Sequence, residues 1–158
     1  MKAGRLKQQR PSAPATEAVI LFQVGGYRMA IGAGAVQKIR KDRGLRPAEI
    51  GCSTIVSAHA LFGIAAGPGG RLLVLHRGGV AVRVDKVERM IETSELRPLP
   101  HAFLGPEREW YRGLALAEGI VLPLVDPEAF ERQAKSEEEE NFAEFWASSN
   151  LFSEKAIA

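Results

Sequence analysis

Leu72-Leu-Val-Leu-His-Arg-Gly-Gly-Val-Ala-Val-Arg-Val-Asp-Lys-Val-Glu-Arg-Met-Ile-Glu92 holds an apolar run, a Gly-Gly pair, an alternating run, and a segment with apolar residues every few positions. An apolar run meeting an alternating run across two glycines predicts a β-hairpin, because glycine accepts the positive φ that tight hairpin turns require. In the second strand Val80, Val82 and Val84 share one face, and Ala81, Arg83 and Asp85 share the other. A related pattern occurs earlier, at Leu21-Phe-Gln-Val-Gly-Gly-Tyr-Arg-Met-Ala-Ile31. Gly25 and Gly26 match Gly78 and Gly79, and Val36 and Ile39 match Val87 and Met90 after a two-residue gap. The correspondence predicts an internal duplication. The spacing of Val36 and Ile39 predicts one or two helical turns.

Working outward, Ser53 to Val56 reads as a short strand and Ala58 to Ile64 as an apolar segment closing the first half. Lys41 to Glu49 reads as a loop, and the Gly63–Gly70 cluster separates the halves. Pro98, Pro100 and Pro106 exclude a regular interior strand over 96–106. Trp110 to Ala117 and Ile120 to Val125 are two more strands joined at Glu118-Gly119. Asp126 followed by Pro127 predicts a helix start, and Asp85 and Asp126 are read as caps of the segments after them. Many short strands, little helix and no strand-helix-strand alternation favour small antiparallel barrels.

Three units follow: a disordered basic tail over 1–17, a β domain over 18–130, and an acidic amphipathic helix or tail over 131–158. Residues 1–18 carry four Lys/Arg, and the chain from Glu128 carries eight Glu against three Lys/Arg. Phe142, Phe145, Trp146 and Phe152 fall near one face at helical spacing, opposite Glu137–Glu140. An isolated helix of this kind is marginal in water, so the stripe is expected to pack into a groove of its own domain or against a partner.

The net charge of +2 and the lack of aromatics interleaved with basic residues argue against nucleic-acid binding. No apolar run is long enough to span a bilayer, so no membrane insertion is expected and the cytoplasm is the default compartment. A single cysteine, Cys52, excludes an internal disulfide. His59, His76 and His101 show no metal-ligand spacing. His59, inside an apolar run, is read as a satisfied core or interface histidine, and His76 as a solvated turn residue. Gly67-Pro-Gly-Gly70 lacks the Lys-Ser/Thr end of a phosphate loop. No catalytic, metal or cofactor residues are assigned, and a binding module is the leading class.

With the strands placed, the chain from about Val19 to Phe130 resembles a CheW-like domain, the adaptor of bacterial chemosensory arrays. Three segments carry the resemblance: Val80-Ala-Val-Arg-Val-Asp-Lys-Val-Glu-Arg-Met90, Leu96-Arg-Pro-Leu-Pro100, and Tyr111-Arg-Gly-Leu-Ala-Leu-Ala-Glu-Gly-Ile-Val-Leu-Pro-Leu-Val-Asp126. It implies a mainly β fold of two small SH3-like five-stranded antiparallel barrels with a C-terminal helix. It also implies a non-enzymatic scaffold in chemotaxis or motility signalling, without a cofactor. The implied partners are the regulatory domain of a CheA-type histidine kinase and the cytoplasmic tips of chemoreceptors. The first half departs from the family pattern, because Ile50 and Ser57 stand where its Arg and Asp would fall and Thr54 where its proline would be. An alternative is therefore a divergent CheW-like protein that has lost receptor coupling and binds another partner.

The candidate partner-binding residues are Ile50, Ser57, Arg112, Trp110, Tyr111, Phe142, Phe145 and Trp146. Arg112 reads either as a solvated turn arginine or as half of an ion pair. Trp110 and Tyr111 read as barrel-edge packing or as binding anchors.

Overall fold

The computed structural model describes residues 17–157 apart from 66, 68 and 104, with side chains through 148. The basic tail therefore lies, but for Glu17, outside the described residues, as does the side chain of Phe152. The strands are β1 (Ala18–Val24), β2 (Tyr27–Gly32), β3 (Val36–Lys41), β4 (Thr54–Ser57), β5 (Arg71–Leu75), β6 (Val80–Val84), β7 (Lys86–Glu92), β8 (Glu95–Arg97), β9 (Tyr111–Ala117) and β10 (Ile120–Val125). The helices are α1 (Pro47–Ile50), α2 (Ala58–Phe62), α3 (Glu107–Trp110) and α4 (Pro127–Ile157).

Hydrogen bonding distributes the strands as a six-stranded sheet, β7-β1-β2-β10-β9-β8, and a four-stranded sheet, β3-β5-β6-β4. The expected five-plus-five is thus six-plus-four by pairing. The expected duplication underlies it. In both sheets an antiparallel hairpin, β1–β2 or β5–β6, is flanked by the third strand of the other hairpin's unit. Its second strand pairs in parallel with a further strand, β10 beside β2 and β4 beside β6. Strands β9 and β8 extend the first set. Each unit thus lends its third strand to its counterpart, β3 to β5 and β7 to β1.

This exchange corrects the division of the chain into halves. The Gly63–Gly70 break does not separate the sheets, since β5 and β6 pair with β3 and β4 from before it. It also corrects the expectation of helix at Val36 and Ile39, which lie in β3. A bulge at Gln37 lets Val36 face Leu75 while Ile39 faces Leu73, so residues three apart point the same way. Strand β7 repeats the device. Val87 faces Phe22 and Met90 faces Ile20, with Glu88 as the extra residue. A bulged strand has imitated a helical period twice.

The hairpin turns differ between the units. Val24 and Tyr27 pair directly across Gly25 and Gly26, both at positive φ, in a two-residue turn. The connection after β5 is longer than the tight turn expected there, because His76 and Arg77 precede Gly78 and Gly79 outside the strands. His76 donates its amide to the Ala35 carbonyl, and the Gly79 carbonyl accepts from the Ser53 and Thr54 amides.

Three apolar clusters hold the sheets. Val19, Leu21, Ile91, Leu122 and Leu124 pack within the larger sheet, and Ile50, Leu72, Val74 and Ala81 within the smaller. A shared core joins Phe22, Val24 and Ile31 to Leu73, Val80, Val82 and Val84. Strand alternation sends one face of β1 and of β6 to each, so both strands are buried on two sides. Helices α2 and α4 follow the parallel-paired strands β4 and β10, and their Phe62 and Phe130 rings meet edge to face at 6.0 Å. Asp126 caps α4 as expected, its Oδ1 accepting the Glu128 amide at 3.0 Å.

Gly113 is buried in β9, and a Cβ there would overlap the Arg97 carbonyl on β8. Gly113→Ala should therefore lower stability by about 1–3 kcal/mol, seen as a lower urea midpoint at unchanged slope. A midpoint equal to the parent's would show that β8 yields without cost.

Candidate functional site

The two sheets meet where the chain passes from β6 to β7 through one residue, Asp85. Its carboxylate accepts the Gly25 amide at 2.6 Å, the Gly69 amide at 2.9 Å and His59 Nε2 at 2.8 Å. Its own amide donates to the Gln23 carbonyl at 3.0 Å. Asp85 thus ties the first hairpin turn, the glycine-rich linker and α2 to the sheet crossing, and it does not cap the following segment. Burial alone would push its carboxyl up. The Gly25 amide, the His59 ring, the Gly69 amide and the His59 charge outweigh that and hold it below the ordinary 3.8. His59 is 4% exposed, with its Nδ1 3.4 Å from Ser57 Oγ. This bears out its reading as a satisfied interior histidine.

Beside this junction lies a groove of about 340 Å³ between the first hairpin and the α2 and α3 regions. Phe62 forms its floor, stacked on Tyr111 at 5.8 Å and edge-on to Trp110 at 5.4 Å. Tyr27, Ile64 and Pro123 complete the wall. Pro123 is in register with Leu114 of β9 but has no partner on the β2 side, where β10 pairs only through Leu124 and Val125. Its missing N–H therefore leaves no bond unmade toward β2. Burial, then the Glu107 charge, raises the Tyr111 phenol above its ordinary value. Tyr27 is 64% exposed at the rim, next to Arg28, which pairs with Glu88 at 3.0 Å.

A second cleft of about 380 Å³ opens at the start of α4. There His76, Arg77 and Arg112 share the walls with Asp126, Glu128 and Glu131. Arg112 Nη1 lies 3.7 Å from Glu17 Oε1. The pair is solvent-exposed, which limits it to about 1 kcal/mol or less.

The predicted partner-binding residues do not converge. Trp110 and Tyr111 line the aromatic groove and pack on the shared core, as the barrel-edge reading expects. Arg112 lies in the separate cleft. Ile50 cannot serve as a contact residue. It is 3% exposed and packs with Leu72, Val74 and Ala81, because α1 turns its only apolar long side chain inward. Ser57 is half-buried, with its carbonyl accepting Gln133 Nε2 at 3.0 Å. Phe142, Phe145 and Trp146 are 68%, 69% and 59% exposed. Of the two alternatives expected for the stripe, a groove of its own domain or a partner, these three side chains do not take the first. Among the described side chains of α4, the buried ones are Ala129, Phe130 and Ala134 in its first turns.

Sequence reading missed Tyr27, Phe62, Ile64 and Pro123 as groove residues. An aromatic and an arginine directly after a Gly-Gly turn were the available signal for Tyr27. Among the described residues no His, Cys, Asp and Glu group could hold a metal ion. Among the same residues no helix is long and apolar enough to cross a membrane.

A mainly β chain of two interlocked sheets with a long C-terminal helix and a cleft-bearing junction has the CheW-like fold. Among solved structures it matches the scaffolding protein TtCheW from Thermoanaerobacter tengcongensis, with a TM-score of 0.57 over 71% of this chain and 90% of that chain. Sequence identity between the two is 13%. No family model matches the sequence, and no curated protein matches it.

Asp85→Asn should lower stability by about 2 kcal/mol at neutral pH, since charged hydrogen bonds contribute most here. The folded-state pKa lies below the unfolded 3.8, so the carboxylate's contribution is complete above that value and lost as pH falls through the lowered one. The gap between parent and variant urea midpoints should close as pH drops below 3.8. A gap that stays constant with pH would assign the junction's strength to shape alone.

Proposed function

We propose that the chain is a non-enzymatic scaffold of a bacterial chemosensory pathway, coupling a CheA-type histidine kinase to receptors through protein–protein contacts. The observation that carries this reading is the CheW-like fold, which spans nine-tenths of a scaffolding protein's length. The ordered Val-Asp, proline-loop and Arg-Gly segments of the second half support it independently, and placement in the cytoplasm goes with it. Docking of the kinase's regulatory domain rests on exposed strand edges and on the aromatic groove. Tyr27 and Trp110 there offer apolar area with a polar tip, the composition enriched at interface anchors.

A second reading is a divergent interaction protein without receptor coupling. It is favoured by one observation: Ile50, in place of the family's Arg, is buried, and Ser57, in place of its Asp, is half-buried with its carbonyl bonded to Gln133. Any contact made through that region would be lost or displaced toward the groove.

Titration with the purified regulatory domain of the cognate kinase tests the first reading. Association is expected at micromolar to tens of micromolar concentrations, in the range of transient signalling contacts. Tyr27→Ala should weaken it about tenfold while changing stability by less than about 0.5 kcal/mol, because the side chain stands largely in solvent. Absence of association at tens of micromolar overturns the kinase-scaffold reading. Binding to the kinase without binding to receptor tips selects the second.

A further inference from the structure

We infer that the distal part of α4 is a helical docking element for a second protein that presents an apolar groove with a basic rim. This surface is separate from the sheets and does not depend on which partner they engage.

Helix α4 spans 31 residues, about 46 Å at 1.5 Å per residue. Its first turns lie on the domain. Phe130 and Ala134 are buried, Gln133 reaches the Ser57 carbonyl, and Thr54 donates to Glu138 at 3.0 Å. Glu137, Glu138 and Asn141 share a cleft with Thr54, Ile55 and Arg83 of the smaller sheet. At 3.6 residues per turn, Phe142, Phe145 and Trp146 stand roughly a quarter turn away from the line through Phe130, Ala134, Glu137 and Asn141. The aromatic stripe is therefore a second apolar face and not a continuation of the one that meets the core. Residues 142–148 are all exposed.

The area of the stripe separates the possible occupants. Three aromatics two-thirds exposed present on the order of 400 Å² per chain. Two copies pairing stripe to stripe would cover roughly 800 Å², short of the roughly 1,200 Å² of stable interfaces. A groove that also covers the helix flanks makes up the difference. Spacing of i, i+3 and i+4 is that of a helix anchored in a groove.

Charge decides the rim. Glu138 and Glu139 stand one turn before Phe142 at the stripe's edges, while Glu137, Glu140 and Glu144 lie on the opposite face. Residues 136–148 carry these five Glu with no Lys or Arg. This acidity disfavours an anionic lipid surface, which attracts basic segments. It complements lysine or arginine flanking an apolar groove, which would also speed encounter.

Photo-crosslinking in the source cells tests the assignment, using full-length chain with Phe145→benzoylphenylalanine and, as a control on the far side of the helix, Ala147→benzoylphenylalanine. The expected result is a product with one other polypeptide, from position 145 and not from 147. Its crosslinked peptide should map to an apolar segment flanked by Lys or Arg. With that protein purified, Phe142→Ser combined with Trp146→Ser should weaken binding at least tenfold at an unchanged melting transition. Glu139→Lys and added salt should weaken it as well. Crosslinks only to a second copy, only to lipid, to a groove with an acidic rim, or to nothing overturn the inference. None of these outcomes bears on kinase binding through the sheets, which the titration above reads separately.

Discussion

The crossing at Asp85 is the constraint on which the rest of the structure depends. One residue separates a strand of the four-stranded sheet from a strand of the six-stranded sheet, so the backbone must change partners with no loop to absorb the turn. The carboxylate resolves this by accepting two main-chain amides and a buried histidine, while its own amide continues the contact with β1. Low exposure strengthens each of these bonds and makes the loss of any one costly. Gly67 and Gly70 pass so close to Asp85 that a side chain at either would collide with it. The glycine-rich segment is thus a fitted strap over the junction as well as a linker.

Reciprocal lending of third strands gives the fold its unity. Neither hairpin unit can complete its sheet from its own sequence, because β3 pairs with β5 and β7 with β1. Each sheet keeps a small private core and shares a larger one, with Phe62 and Phe130 meeting at equivalent places in the two units. The aromatic groove lies where the first hairpin, α2 and β10 come together. It exists because the parallel pairing of β2 with β10 is short and begins only after Pro123. Interlocked sheets hold the aromatic groove and the charged cleft in a fixed relation to each other.

Much of this was legible in the residues, and the failures have physical causes. Alternation in Val80–Val84 and the apolar run of Leu72–Leu75 identified core strands, since burial follows the pleat. Paired glycines revealed the duplication. Apolar spacing of three in β3 misled, because a bulge adds one residue and converts a period of two into three, as it also does in β7. Ile50 was assigned to a surface by alignment to a family pattern, yet an isoleucine on a one-turn helix over Leu72 and Val74 is drawn inward by the apolar area it covers.

By itself the sequence determined the mainly β class, the repeated hairpin, the capped start of α4 and the shared face of Val80, Val82 and Val84. These depend on local pattern: pleat alternation, glycine at positive φ, and a capping aspartate before proline. Tertiary structure alone decided which strands complete which sheet, that Asp85 and His59 clasp the crossing, and that Phe142, Phe145 and Trp146 stand clear of the domain. Those outcomes follow from contacts between residues tens of positions apart. Their partners are set by three-dimensional proximity, which spacing along the chain does not encode.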